Sequence, residues 1–131
     1  MISKKCKYAI KAVLNIANNH EKDLISSSNQ ISKEESIPKK FLESILLDLR
    51  NAKILRSNRG KNGGYVLSKP VNEITYADII RIVDGPIALL PCASLNYYSD
   101  CDDCDPDNCP LKKTFSKVRD VSLKVLKNSI G

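Results

Sequence analysis

The sequence contains no stretch that approaches the roughly 18 consecutive apolar residues of a membrane-spanning helix. Its first eleven residues are interrupted by Lys4, Lys5 and Lys7, so they do not have the continuous apolar core of a secretion signal. We therefore expect a cytoplasmic protein. With 131 residues, the chain has room for one domain of ordinary size and a short appendage.

Cationic residues are nearly missing from the middle of the chain. Residues 71–110 contain 1 Lys or Arg against 8 Asp or Glu, whereas residues 1–70 contain 14 against 6 and residues 111–131 contain 6 against 1. A basic N-terminal part beside an acidic segment is typical of a protein that meets a polyanion such as DNA. A solvated, lysine-rich surface has the same composition, so charge alone leaves both interpretations open.

Three amphipathic segments are predicted before residue 52. Residues 4–18 repeat apolar side chains at helical spacing, and a serine of the run 26–28 can cap a short second helix that ends near Ser36. Pro38 suits the first turn of a third helix over residues 38–51, in which Phe41 and Leu42 are expected to pack into the core. Two helices separated by a few residues are the arrangement of helix-turn-helix proteins.

A β-hairpin is predicted next. Residues 54–57 and 65–68 are strand-like runs that flank a glycine-rich, basic segment. Gly63 and Gly64 allow positive φ and close backbone approach, while Arg59 and Lys61 place cations where a minor groove or phosphates would attract them. The pattern indicates the wing of a winged helix-turn-helix, with an ordinary exposed turn as the alternative.

Two further helices complete the prediction. One covers residues 76–84 and is stopped by Gly85 and Pro86. The other covers residues 111–130 and carries a heptad-like stripe, which favours a dimer seam over packing against its own core. The stripe consists of Leu111, Phe115, Val118, Ser122 and Val125, with Val121 and Leu126 beside it.

The expected fold class is therefore mainly α with a small β-hairpin. It comprises a winged helix-turn-helix DNA-binding domain over residues 1–86, a cysteine-rich metal-binding loop over residues 87–110 and a dimerisation helix over residues 111–131.

Four segments carry a family resemblance: residues 37–43 (IPKKFLE), residues 55–67 (LRSNRGKNGGYVL), the pairs Ile74-Thr75 and Asp78-Ile79, and residues 83–86 (VDGP). In these segments, and over nearly its whole length, the chain resembles the IscR, NsrR and CymR type of bacterial winged-helix regulators. The resemblance implies a DNA-binding homodimer without enzymatic activity, held by its long C-terminal helix on an imperfectly palindromic operator. Some members of the family bind iron-sulfur clusters, and others sense without metal.

The predicted DNA contacts lie at the start of the third helix, in the wing and at the second helix. Lys39, Lys40 and Ser44 are expected to contact phosphates or bases, and Glu43 can accept a hydrogen bond from a cytosine amino group. Arg59 is expected in the minor groove. The full predicted set is Ser28, Pro38, Lys39, Lys40, Glu43, Ser44, Ser57, Arg59, Lys61 and Gly63. A solvated helix face is the alternative for the charged residues of the third helix.

Four of the five cysteines lie within an 18-residue segment. In a chain without a secretion signal, this crowding favours metal or redox chemistry over structural disulfides. Four thiolates can surround one zinc ion or one iron-sulfur cluster, either [2Fe-2S] or [4Fe-4S]. The predicted ligands are Cys92, Cys101, Cys104 and Cys109.

The resemblance implies three cysteine ligands plus a variable fourth, and this sequence departs from that scheme. It has a fourth cysteine in the loop, its only histidine is the distant His20, and Tyr8 stands where some relatives have an acidic ligand. The expected ligand set is therefore all cysteine. Cys6, on the first helix, is predicted to be a buried small hydrophobe, with ligation across a dimer as the alternative.

The acidic residues around the cysteines bear on two other functions, a thiol redox enzyme and a calcium site. They raise thiol pKa values and so disfavour a thiol redox enzyme based on Cys101 and Cys104, for which a βαβ context and a nearby histidine are also missing. A calcium loop would need glycine at Asn108 and glutamate at Thr114. The acidic residues are Asp100, Asp102, Asp103, Asp105 and Asp107.

The leading hypothesis is a regulator whose operator binding responds to redox state, nitric oxide or the presence of the cluster. A change at the cluster would shift the loop and the dimerisation helix, and so alter how two reading heads fit the operator. The alternative is the same DNA-binding regulator with a structural zinc site and a different signal.

Overall fold

A computed structural model of the chain describes residues 2–58, 63–85, 87 and 109–130. The described helices are α1 (Lys4–Glu21), α2 (Ser28–Glu35), α3 (Lys39–Asn51), α4 (Tyr76–Val83) and α5 (Pro110–Leu126). Strands β1 (Leu55–Asn58) and β2 (Gly64–Leu67) pair as an antiparallel hairpin, and a 3₁₀ turn at Val71–Glu73 precedes α4. The predicted fold class is confirmed. None of these helices is long and apolar enough to cross a membrane.

Helix α1 lies at the centre of the packing. The Ser3 side chain caps its first turn by accepting the Cys6 N–H at 3.0 Å. Its buried face consists mainly of small residues, which allow close approach to α3, α4 and β2. These residues are Cys6, Ala9, Ala12, Val13, Ile16 and Ala17. They join one core with the buried residues of the other elements.

A tight turn connects α2 to α3. Ser36 adopts a left-handed conformation with φ of 54°, and the Ser32 hydroxyl donates to the Ile37 carbonyl at 2.6 Å. Ile37 is buried, so the turn is anchored in the core. Pro38 is the N-cap of α3, so the helix begins at Lys39, one position after the predicted start. These contacts fix the direction in which α3 leaves α2.

The base of the hairpin is attached to the loop between α1 and α2. The Tyr65 N–H donates to the Ser26 carbonyl at 2.7 Å, and the Ser26 N–H donates back to Tyr65 at 3.3 Å. A Cβ atom on Gly64 would stand 2.7 Å from the Ser26 carbonyl carbon and 2.8 Å from Ile25 Cγ2. Glycine is therefore required at position 64 because Ser26 and Ile25 approach its backbone closely. The φ of Gly64 is not positive, so conformational freedom is not the reason.

Helix α4 has defined caps at both ends. Thr75 and Asp78 form a capping box, with each side chain accepting the other residue's N–H at 3.1 Å. Gly85 follows the C-cap Asp84 with φ of 88°, as expected of a glycine that terminates a helix.

Helix α5 differs in its bounds from the predicted helix over residues 111–130. It begins at Pro110 and ends at Leu126, and the following residues return to the core. Ser129 bridges Thr75, and the Ile130 N–H donates to the Ile74 carbonyl at 2.9 Å. Leu123 is buried, so one side of α5 contacts the protein's own core. The end of α5 is thereby attached to the start of α4.

Candidate nucleic-acid interface and cysteine segment

The first turns of α3 present the predicted reading residues to solvent. Lys39, Lys40, Glu43 and Ser44 are all exposed, whereas Leu42 between them is fully buried. These four polar residues and Leu42 therefore lie on the faces of α3 that the sequence pattern predicted for them. This exposed end of α3 can enter a groove without displacing the core.

The electrostatics of this end suit an anion. The N–H groups of a helix's first turn carry partial positive charge, and the first turn of α3 contains no acidic residue. Lys39 and Lys40, the first two residues of the helix, add two cations there. Glu43 follows one turn later and is the single acidic residue of the predicted reading set.

The remaining predicted DNA contacts fall on neighbouring elements. Ser28 is the first residue of α2, directly after its cap Ser27. Ser57 lies on β1 opposite Tyr65, and Gly63 directly precedes β2; both are half-buried. Arg59 and Lys61 lie outside the described residues.

Two contacts hold the side of α3 against α1. The Lys5 ammonium pairs with the Asp48 carboxylate at 3.0 Å. The Tyr8 and Phe41 rings meet edge to face, with centroids 5.8 Å apart and planes at 84°. Phe41 is nevertheless 43% exposed, so the expectation that it packs into the core is wrong. Its ring lies at the boundary between α1 and the exposed end of α3.

One exposed apolar residue of α3 was missed by the sequence analysis. Leu47 is 45% exposed on the polar side of the helix. A signal was available, because Leu47 does not fit the spacing that joins Leu42, Ile45, Leu46 and Leu49 into a core face.

Helix α5 carries an exposed apolar stripe. Val121 and Val125 are 68% and 62% exposed, and Leu111 and Val118 are also exposed. Phe115, Ser122 and Leu126 beside them are partly buried. The stripe matches the predicted seam and has no cover from the described part of its own chain.

One predicted metal ligand can be described. Cys109 is the N-cap of α5 and is buried, directly before Pro110. Cys92, Cys101 and Cys104 lie outside the described residues. Cys109 therefore lies where the cysteine segment meets α5.

The comparisons with known proteins decide the family. The family model described as "Rrf2: Iron-dependent Transcriptional regulator" matches residues 2–129. The chain belongs to the Rrf2 family. It is also 43% identical over 121 residues to an rrf2-like putative HTH-type transcriptional regulator of Rhodobacter capsulatus, a match that covers 90% of this chain and 81% of that protein.

Solved structures agree with the Rrf2 assignment. CymR of B. subtilis, described as a global cysteine regulator, has a TM-score of 0.79 at 29% identity, covering 98% of this chain and 91% of that chain. IscR of T. potens has a TM-score of 0.73 at 25% identity, covering 97% and 80%. Because the relatives of this Rrf2 protein are named transcriptional regulators, the chain is a transcriptional regulator and not an enzyme.

In this Rrf2 regulator, the thiol of Cys6 is buried and its pKa is raised. The thiol is inaccessible to solvent on α1. Burial, the negative charge of Asp84 and a hydrogen bond to that carboxylate raise the pKa of Cys6 from 9.0 to about 11. Asp84 also accepts hydrogen bonds from the Ser3 N–H at 2.8 Å and from the Ser3 hydroxyl. A thiol held in this way is a poor metal ligand, because ligation requires the thiolate.

The raised pKa of Cys6 predicts a pH dependence of stability. The folded pKa exceeds the unfolded value, so the protonated thiol stabilises the fold below pH 9, and this contribution is lost as pH rises towards 11. We expect the wild type to lose about 2 kcal/mol more than Cys6→Ala between pH 8 and pH 10.5. Urea unfolding of both proteins at pH 8 and pH 10.5 measures the difference. Identical pH dependence of the two proteins would show that Cys6 does not titrate in this way.

Proposed function

We propose that this chain is a cytoplasmic, DNA-binding homodimer whose operator affinity is controlled by a cysteine-ligated iron-sulfur cluster. The observation that carries the DNA-binding part is the exposed, cationic first turn of α3 beside a hairpin, in a member of a family of transcriptional regulators. In helix-turn-helix proteins, this end of the recognition helix contacts base edges in the major groove. Duplex DNA is therefore the partner that this surface fits.

Each reading residue has a proposed role that follows from its position. Lys39 and Lys40 neutralise phosphates at the entry of α3, and Ser44 lies one turn further along the exposed face. Glu43 accepts a hydrogen bond from a cytosine amino group, which makes it a sequence reader. Arg59 inserts into the minor groove beside the major-groove segment read by α3. Supporting contacts come from Ser28, Pro38, Ser57, Lys61 and Gly63.

Dimerisation is proposed through α5. The stripe of Leu111, Val118, Val121 and Val125 is apolar and exposed on one side of the helix, while Leu123 on another side packs against the protein's own core. A heptad-like stripe on a second copy would bury it. Two copies would place two α3 helices on half-sites about one helical turn apart, as two-fold operators require.

The proposed ligands of the cluster are Cys92, Cys101, Cys104 and Cys109. The donor set fits, because four thiolates are the usual ligands of [2Fe-2S] and [4Fe-4S] clusters. When bound, the cluster would supply redox chemistry and reactivity towards small oxidants. Cys109 lies at the junction between the cysteine segment and α5, where it is the N-cap of the helix. A cluster bound to its thiol would therefore act directly at the start of the proposed dimerisation helix. Control of DNA binding by the signal is proposed to use this junction.

Salt-dependent binding to duplexes selected from a random pool tests the DNA-binding proposal. We expect Arg59→Ala to weaken binding to the selected duplex by about 1 to 3 kcal/mol, because a specific minor-groove contact is lost. Lys127→Ala removes an exposed cation after α5 and serves as the control, with little expected change. Fluorescence anisotropy over a salt series measures both. Unchanged binding of Arg59→Ala would remove the wing from the proposal.

The proposed dimer interface on α5 predicts that substitutions at two adjacent residues have different effects on dimerisation. Val125→Glu places a charge within the apolar stripe and is expected to give a monomer, because burying an unpaired carboxylate is costly. Lys124→Glu changes a residue about 100° away around the helix and is expected to leave the dimer intact. Light scattering after size-exclusion chromatography measures the molecular mass. A dimeric Val125→Glu would place the dimer interface elsewhere.

The metal proposal is tested on protein purified without oxygen. We expect a coloured protein with stoichiometric iron and sulfide, and loss of both when any one of Cys92, Cys101 or Cys104 is changed to alanine. Cys6→Ala is the matched control and should retain the cluster. Visible spectra and iron, sulfide and zinc analysis give the answer. A colourless protein with stoichiometric zinc would instead support the structural zinc site.

A further inference from the structure

Phe41 is an apolar side chain left in solvent at the cationic end of α3. It is the third residue of the helix, and 43% of it is exposed although Leu42 beside it is fully buried. Its neighbours Lys39 and Lys40 are the first two residues of α3 and are exposed as well. A partly exposed ring next to two cations would suit a partner that is anionic overall and apolar at one point.

The Phe41 ring is held in place before any partner arrives. Tyr8 meets it edge to face at 5.8 Å, and the Lys4 ammonium lies 5.9 Å from the centre of the Tyr8 ring. Because these contacts already restrict the ring, binding a ligand would cost it little further conformational entropy. The arrangement is that of a positioned contact surface.

The major groove of DNA offers the matching group. Its edges are polar except for the 5-methyl group of thymine, which apolar side chains including phenylalanine contact. The surrounding phosphates provide the negative charge that Lys39 and Lys40 attract. We propose that Phe41 reads a thymine in each half-site by packing against its 5-methyl group, an inference that rests on the proposed DNA-binding function.

Leu47 provides a matched control on the same helix. Its exposed fraction, 45%, is close to that of Phe41. It lies six residues further along α3, which places it about 120° away around the helix axis and about 1.7 turns beyond Phe41. A general effect of exposed apolar surface on α3 would appear in both variants, whereas a thymine contact at the first turn belongs to Phe41 alone.

The experiment removes one methyl group from the DNA and the ring from the protein. Duplexes are first selected from a random pool with the full chain, and each thymine of one half-site is then replaced in turn by deoxyuridine. Wild type, Phe41→Ala, Phe41→Leu and Leu47→Ala are titrated with each duplex at fixed salt, and their melting temperatures are compared.

We expect one deoxyuridine position to weaken wild-type binding about fourfold, the effect of losing one methyl-sized apolar contact. Phe41→Ala should bind both duplexes equally, and Leu47→Ala should keep the fourfold difference. Phe41→Leu retains an apolar side chain against Tyr8 and should show a difference of about twofold, so the test stands even if Phe41→Ala fails to fold.

Three results would overturn the inference. If no deoxyuridine position weakens binding, or if the difference persists in both Phe41 variants, Phe41 does not read a methyl group although DNA binding stands. If the difference disappears only in Leu47→Ala, the thymine contact belongs to Leu47. If no duplex is selected or the affinity does not depend on salt, the proposed DNA-binding function fails and the inference fails with it.

Discussion

The close packing of α1 against α3, α4 and β2 holds every other described element in position. It depends on small side chains, since Ala9, Ala12 and Ala17 are buried where a larger residue would separate the helices. Through this contact, α3, the hairpin and Ile74, whose carbonyl accepts the Ile130 N–H, share one core. The buried residues of α3 thus set its orientation, and the side chains at its exposed end do not need to contribute to the core.

Two polar links extend this arrangement to the ends of the described chain. Ser3, at the start of α1, is bonded to Asp84 at the end of α4, and Ile130 is bonded to Ile74 before α4. The first link lies directly before the cysteine segment, and the second directly follows α5. Both boundaries of the proposed sensing and dimerisation parts are therefore attached to the core that carries α3.

Local sequence patterns predicted the elements well because each has a local cause. The serine cap of α2, the spacing of Leu42, Ile45, Leu46 and Leu49, and the stop at Gly85 gave helices within a few residues of those observed. The return of Ser129 and Ile130 to Thr75 and Ile74 joins residues far apart in sequence, which periodicity cannot reveal. Phe41 was misplaced for a related reason: its ring contacts Tyr8 of another helix, and it stays 43% exposed. Conversely, Cys6 was predicted as a buried small hydrophobe, and its bond to Asp84 could not be foreseen.

The backbone bonds between Ser26 and Tyr65 have a consequence for how such a protein can be switched. They join the base of the hairpin to the loop that precedes α2, and Gly64 leaves no space for a side chain between the two segments. Within the described residues, the helix pair and the base of the hairpin are therefore one connected unit. In the proposed dimer, a signal would then change affinity by turning one protomer relative to the other about the DNA axis, where each base pair of spacing corresponds to roughly 35°. Such regulation would depend on the angle between the two reading surfaces and not on a change within either of them.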